Sequence, residues 1–206
     1  MKKGIGIFLI LNMCVCLLTS CDKEKRVVYQ FNQTMYFSWN GNPNLVSTIV
    51  KNTDTIVRGK VEKISGYYFK DNDVSCQSNV SFRCTEVIKG NIKRNEEINF
   101  QTLSRYYPCK KFMKYSKYVE EPSWYQNMSW FERTFGYIEY SLNNYGYLQE
   151  GSEYIMFLNK TDDGYSFPFY GSFEVYDNKV RHQFNHRQDS LEVLYKEIQT
   201  TFKEMQ

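Results

Sequence analysis

The sequence predicts a mainly β domain: a small antiparallel barrel with a short helix at its front and a capping helix at its end. Three observations carry this. Short segments with alternating apolar and polar residues recur between turn signals, as in residues 55–64, 80–85 and 97–102. One run, Glu153-Tyr154-Ile155-Met156-Phe157-Leu158, is apolar almost without interruption and reads as a strand buried on both sides. The last 18 residues place Leu191, Leu194, Tyr195, Ile198 and Phe202 on one helical stripe. Many short strands with one apolar face must dispose of their edges, and closing the sheet does so.

The elements follow in order. Residues 21–41 are mixed and polar with scattered aromatics, as suits a tether, although Val27, Val28, Phe31, Met35, Tyr36 and Phe37 have the composition to add an edge strand. Asn42-Pro43-Asn44 opens a short helix, with Pro43 preset for its first turn and Leu45, Ile49 and Val50 on one side. In residues 55–64, Val57, Gly59 and Val61 share the core face, and Arg58, Lys60 and Glu62 the wet one. A polar loop at residues 71–73 leads to a strand in which Val80, Phe82 and Cys84 alternate with Ser81, Arg83 and Thr85. Gly90 permits a sharp turn into residues 97–102, where Ile98 and Phe100 share a side. After the apolar run, Asp162-Asp163-Gly164 turns the chain into residues 165–170. Asp177-Asn178 then joins residues 172–176 to Val180 in a further hairpin. The final helix, 189–205, has Asp189 or Ser190 as its cap.

The first 20 residues have a different character. Lys2 and Lys3 precede an apolar run broken by Asn12, and Leu18-Thr19-Ser20-Cys21 closes it. The run is short for a span of about 20 apolar residues. The pattern resembles the lipobox of bacterial lipoprotein signal peptides. That resemblance implies cleavage before Cys21, a lipid on its sulfur, and a protein held on the extracytoplasmic face of a bacterial cell membrane. The expected organisation is therefore a signal peptide at 1–20, a lipidated tether at 21–41, and a single barrel domain at 42–206 carrying an aromatic insertion at 103–147.

Loss of the leader takes Lys2 and Lys3 from the 26 basic residues and leaves 24 against 23 acidic ones, so the formal charge falls from +3 to +1. With no net positive field and no basic stripe, nucleic acid is not an expected partner. Of six cysteines, Cys14 and Cys16 belong to the leader and Cys21 to the lipid. Cys76, Cys84 and Cys109 remain, an odd number. Cys84 reads as a strand residue, so either Cys76 pairs with Cys109 or all three stay free.

The helix ending at Asp54, the segment Ile56-Val57-Arg58-Gly59-Lys60-Val61, the strand running into Glu86-Val87-Ile88-Lys89-Gly90, and Glu150-Gly151-Ser152-Glu153 leading the apolar run stand in one order. Together they resemble the netrin/TIMP-like group of oligonucleotide/oligosaccharide-binding (OB) barrels. The resemblance covers residues 45–180 with an interruption at 102–148, and implies an OB-like barrel and, in some members, protease inhibition through a free amino-terminal cysteine. Lipidation of Cys21 departs from that pattern.

Catalysis requires a nucleophile or a tuned acid and base with an orienting partner, and no such set is legible. No catalytic residue, cofactor or metal site is expected. His182 and His186 have a spacing that suits two ligands on a helix, but their segment reads as a solvated loop. Glu120-Glu121 and Asp162-Asp163 are adjacent pairs, which cannot flank a glycosidic bond as two acids must. The insertion is the feature that invites a functional reading. Its rings either pack among themselves or offer a binding face, for which Trp124, Tyr125, Trp130 and Phe131 are the candidates. The expected function is a non-catalytic binding or accessory module with an envelope protein as partner. Envelope glycan binding through the insertion and TIMP-like protease inhibition are the alternatives.

Overall fold

The computed structural model describes residues 25–34, 46–69, 76–115, 120–143, 146–162, 164–168, 171–184 and 186–206. The leader, Cys21 and the Asn42-Pro43-Asn44 helix start lie outside them. The fold is mainly β and antiparallel, and the chain divides into two compact units, Met1–Gln30 with Tyr106–Glu139, and Phe31–Arg105 with Tyr140–Gln206.

The larger unit is organised by a sheet. Its strands are β2 (Thr55–Phe69), β3 (Cys76–Lys89), β4 (Glu97–Leu103), β7 (Glu153–Thr161), β8 (Gly164–Ser166), β9 (Ser172–Tyr176), β10 (Lys179–His182) and β11 (Gln188–Ser190), and its path is β11-β10-β9-β7-β2-β3-β4 with β8 paired to β7. The path has two ends, so the sheet is open where a closed barrel was expected. Its long strand β2 curls instead: the β2–β3 register slips at four places, among them Arg58/Gly59 and Val61/Lys63. Bulges of this kind bend and twist a sheet locally. Gly59 is required there by close approach, because a Cβ on it would stand 2.0 Å from the carbonyl oxygen of Arg83 and 2.8 Å from the Phe82 ring.

Two cores lie on the two faces of β7. Tyr154, Met156 and Leu158 point to one, with Val57, Val61, Val80, Phe82, Ile98 and Phe100. Ile155 and Phe157 point to the other, with Ile56, Phe173, Val180 and the two helices of this unit. Those helices are α1 (Val46–Lys51), which buries Val46, Ile49 and Val50, and α5 (Leu191–Glu204), which buries Leu194, Ile198 and Thr201. They pack on each other and cover the sheet's outer face, so α5 lies along a face instead of stoppering a barrel end. Ser190 caps α5 by accepting a hydrogen bond from the Val193 N–H. Lys89 donates to the carbonyls of Val50 and Thr53, placing a cation at the negative end of α1.

The hairpins match their turn chemistry. Asp177 and Asn178 adopt φ of 47° and 60°, the left-handed pair that a two-residue hairpin between β9 and β10 demands. Asn159 to Thr161 pair with Gly164 to Ser166 across the Asp162-led turn.

A second sheet includes strands from the smaller unit. Residues assigned to the tether form β1 (Val27–Thr34), which joins β6 (Tyr137–Asn143) and β5 (Tyr106–Pro108) in a three-stranded sheet of order β1-β6-β5. β1 and β6 run on past the boundary between the units. Two strands of this sheet, β5 and β6, thus come from the insertion and the third from residues 27–34, and Tyr107, Cys109, Phe112 and Ile138 of the insertion are buried.

Gly59→Ala is expected to destabilise the protein by ~3 kcal/mol, at the upper end of overpacking costs, because the obstacle is backbone. The shift of the urea unfolding midpoint measures it, and a change under about 0.5 kcal/mol, typical of an unconstrained surface site, would refute the close-approach argument.

Candidate functional site

The insertion's rings divide into two sets. Three short helices carry them: α2 (Cys109–Tyr115), α3 (Ser123–Gln126) and α4 (Trp130–Phe135). Trp124 and Tyr125 on α3 are half-buried. Trp124 stacks on Tyr29 of β1 at 4.4 Å between centroids and 21° between planes, and meets Tyr125 edge-on at 5.8 Å. The Arg133 guanidinium lies 4.7 Å from the centre of the Tyr125 ring, and burial pushes the Tyr125 hydroxyl's pKa up. These two of the four expected contact residues are thus half-buried and engaged in ring contacts.

Trp130 and Phe131 are of the other kind. Trp130 is 73% exposed, Phe131 49% and Phe135, which the sequence reading had not singled out as a contact residue, 55%. Phe135 brings the set together, with its ring 6.0 Å from Trp130 and 5.0 Å from Phe131. A helix of six residues has little stability of its own. What fixes this one is a capping box: the Ser129 hydroxyl accepts from the Glu132 N–H, and the Glu132 carboxylate accepts from the Ser129 N–H. That carboxylate also accepts from the Ser129 hydroxyl and faces Arg26 at 3.6 Å. The hydrogen bonds of Ser129, followed by the charge of Arg26, hold the Glu132 carboxyl below its ordinary pKa. Arg26 lies 5.4 Å from the Phe131 ring centre, so the residue just before β1 lends a cation to the aromatic surface. Next to it, the Lys25 ammonium lies 4.8 Å from the Tyr106 ring centre.

Cys109 is a free thiol, 1% exposed, with its sulfur 3.8 Å from the Met128 sulfur. It is therefore not engaged in the bridge to Cys76 that the sequence left open. Cys76 opens β3, and its side chain lies outside the described residues. Burial pushes the Cys109 thiol up to about 11, with Arg133 opposing weakly. Cys84 is likewise free and buried.

Of the two histidines, His182 departs from the solvated-loop expectation and His186 meets it. His182 closes β10, is 1% exposed, and stacks on Phe173 at 4.5 Å, so it is a core residue. Its place opposite Phe173 in the β9–β10 register put it inward, which the polar residues around it obscured. His186 is exposed at φ 56°. Among the described residues, no group of three or more His, Cys, Asp or Glu side chains is placed to hold a metal ion, and no helix is long and apolar enough to cross a membrane.

In the larger unit, a cleft of about 580 Å³ has amides from β3 and β4 on one side, Gln77, Asn79, Asn99 and Gln101, with Tyr165 and Phe167 on the other. Its lining carries no charge. The chain matches no family model and no curated protein.

Two outcomes follow. Trp124→Ala is expected to cost ~2 kcal/mol and Trp130→Ala less than about 0.5 kcal/mol in urea unfolding, since only the first removes half-buried packing; equal costs would refute the division. A carboxyl whose folded pKa is lowered contributes stability that is present above its unfolded pKa and lost as pH falls through the folded one. Glu132→Gln is therefore expected to flatten the loss of stability between pH ~6 and pH ~3, and an unchanged acid limb would show that the capping box does not couple to folding.

Proposed function

We propose that this chain is a lipid-anchored protein of the bacterial envelope that works as a non-catalytic binding module, with α4 as its contact surface. One observation carries the reading. Trp130, Phe131 and Phe135 stand exposed together on a helix whose amino-terminal end is fixed by a capping box, and rigid aromatic area at low entropic cost is what contact surfaces use. The lipobox-like Leu18-Thr19-Ser20-Cys21 supports the anchor. The order of local patterns from Ile56-Val57-Arg58-Gly59-Lys60-Val61 to the apolar run at 153–158 is what supports a netrin/TIMP-like relationship for the larger unit. Protease inhibition is not part of the reading, because Cys21 is committed to lipid.

A second reading places an envelope glycan in the amide-lined cleft instead of on the insertion. The uncharged row of Gln77, Asn79, Asn99 and Gln101 facing two rings favours it, since amides offer a donor and an acceptor to neighbouring hydroxyls. Asn79→Ala with Gln101→Ala is expected to abolish retention on isolated envelope polysaccharide, and undiminished retention would remove this reading.

For the principal reading, wild-type protein is expected in the detergent phase on cloud-point partition and Cys21→Ser in the aqueous phase. Trp130→Ala with Phe135→Ala in the Cys21→Ser chain is expected to weaken retention on washed envelopes by about tenfold or more, as loss of two exposed anchors does. Full retention would eliminate α4 as the contact surface.

A further inference from the structure

The occupant of the α4 surface follows from where the chain enters it. Arg26 is held at the aromatic helix by its position beside the Phe131 ring and by its pair with Glu132. Its N-terminal neighbour Lys25 is held over the Tyr106 ring, and its own carbonyl accepts from the Tyr137 N–H at 2.9 Å. Arg26 is also only five residues after Cys21. Five residues reach at most about 18 Å when fully extended. A lipid on Cys21 therefore keeps this unit within that reach of the bilayer surface, at high effective concentration, whatever path the intervening residues take.

The chemistry of the surface fits a lipid interface. Trp130 combines a large apolar ring with an N–H donor, the combination that collects at the level of lipid headgroups, and Phe131 and Phe135 add apolar area beside it. Arg26 and Lys25 supply positive charge on the tether side, where anionic headgroups attract basic residues. The one carboxylate on the helix, Glu132, already accepts two hydrogen bonds from Ser129. A six-residue helix is about 9 Å long, enough to seat three rings at the headgroup layer and far too short to cross the hydrocarbon.

We propose that Trp130, Phe131 and Phe135 form an interfacial foot that rests in the headgroup layer of the membrane carrying the Cys21 lipid, with Arg26 and Lys25 meeting its anionic headgroups. The foot orients the anchored protein and limits its swing. This inference rests on the lipid-anchor reading and names the partner of the contact surface proposed above.

The test uses full-length protein purified with its lipid and reconstituted into vesicles of phosphatidylcholine with a minor fraction of phosphatidylglycerol. Some vesicles carry a nitroxide on a lipid acyl chain close to the headgroup. Tryptophan emission is compared between wild type and Trp130→Phe, so that the difference reports Trp130 alone. The nitroxide is expected to quench wild type at least ~twofold more than Trp130→Phe, and iodide in the water to reach Trp130 poorly, as for a ring at headgroup level. Vesicle-bound protein whose Trp130 is quenched freely by iodide and not by the nitroxide lipid would overturn the foot, leave the anchor standing, and assign the surface to a protein or glycan. Wild type that partitions into the aqueous phase as Cys21→Ser does would refute the anchor, and the foot with it.

Discussion

Burial of β7 on both faces is the constraint on which the larger unit depends. Tyr154, Met156 and Leu158 complete one core, and Ile155 and Phe157 the other, so each residue of this stretch is committed to a layer. A slip of one residue in its pairing with β2 would exchange the two sets and misplace both. The Tyr154 hydroxyl shows how tightly the layer is built. It accepts the Gln149 N–H at 3.0 Å, and burial pushes its pKa up to about 12. On the outer face, Arg58 of β2 holds Glu153 through two hydrogen bonds of 2.9 and 3.0 Å, and Glu86 of β3 accepts from Tyr195 of α5 at 2.6 Å. The β2–β7 ladder, the β3 end and the terminal helix are thereby tied by polar groups where the apolar layer gives out.

The strands were legible because each buries one face at period two, and β7 because it buries two. The Asp177-Asn178 turn and the Ser190 cap were legible because their chemistry is local. Curling without closure was not, since it comes from four register slips between β2 and β3 and from the approach of Gly59 to the Arg83 backbone, which are relations between strands distant in sequence. His182 was misread because its neighbours Arg181 and Gln183 are polar, whereas its inward direction is set by the β9–β10 register.

The insertion illustrates a different limit. A list of tyrosines, tryptophans and phenylalanines at irregular spacing has no period to separate inside from outside. Trp124 and Trp130 look alike in sequence, yet one stacks on Tyr29 and the other is mostly bare, because only the first lies against β1. The strand itself was hidden in a segment whose composition suits a tether equally well. Its role is set by partners more than 100 positions away, among them Tyr137, whose N–H donates to the Arg26 carbonyl.

The β2–β7 ladder joins residues about a hundred positions apart, Thr55 with Leu158 and Lys60 with Glu153. Synthesis from the amino terminus delivers β2, β3 and β4 first, as a meander with one apolar face uncovered, and the strand that covers it arrives only after the whole insertion. Closing so long a loop costs little more equilibrium stability than a shorter one, since the entropy grows only with the logarithm of length. Its cost falls on time, because such distant pairings form late and leave a sticky intermediate in the interval. Within that long loop, residues 106–139 belong to a compact unit separate from the one that holds β2 and β7.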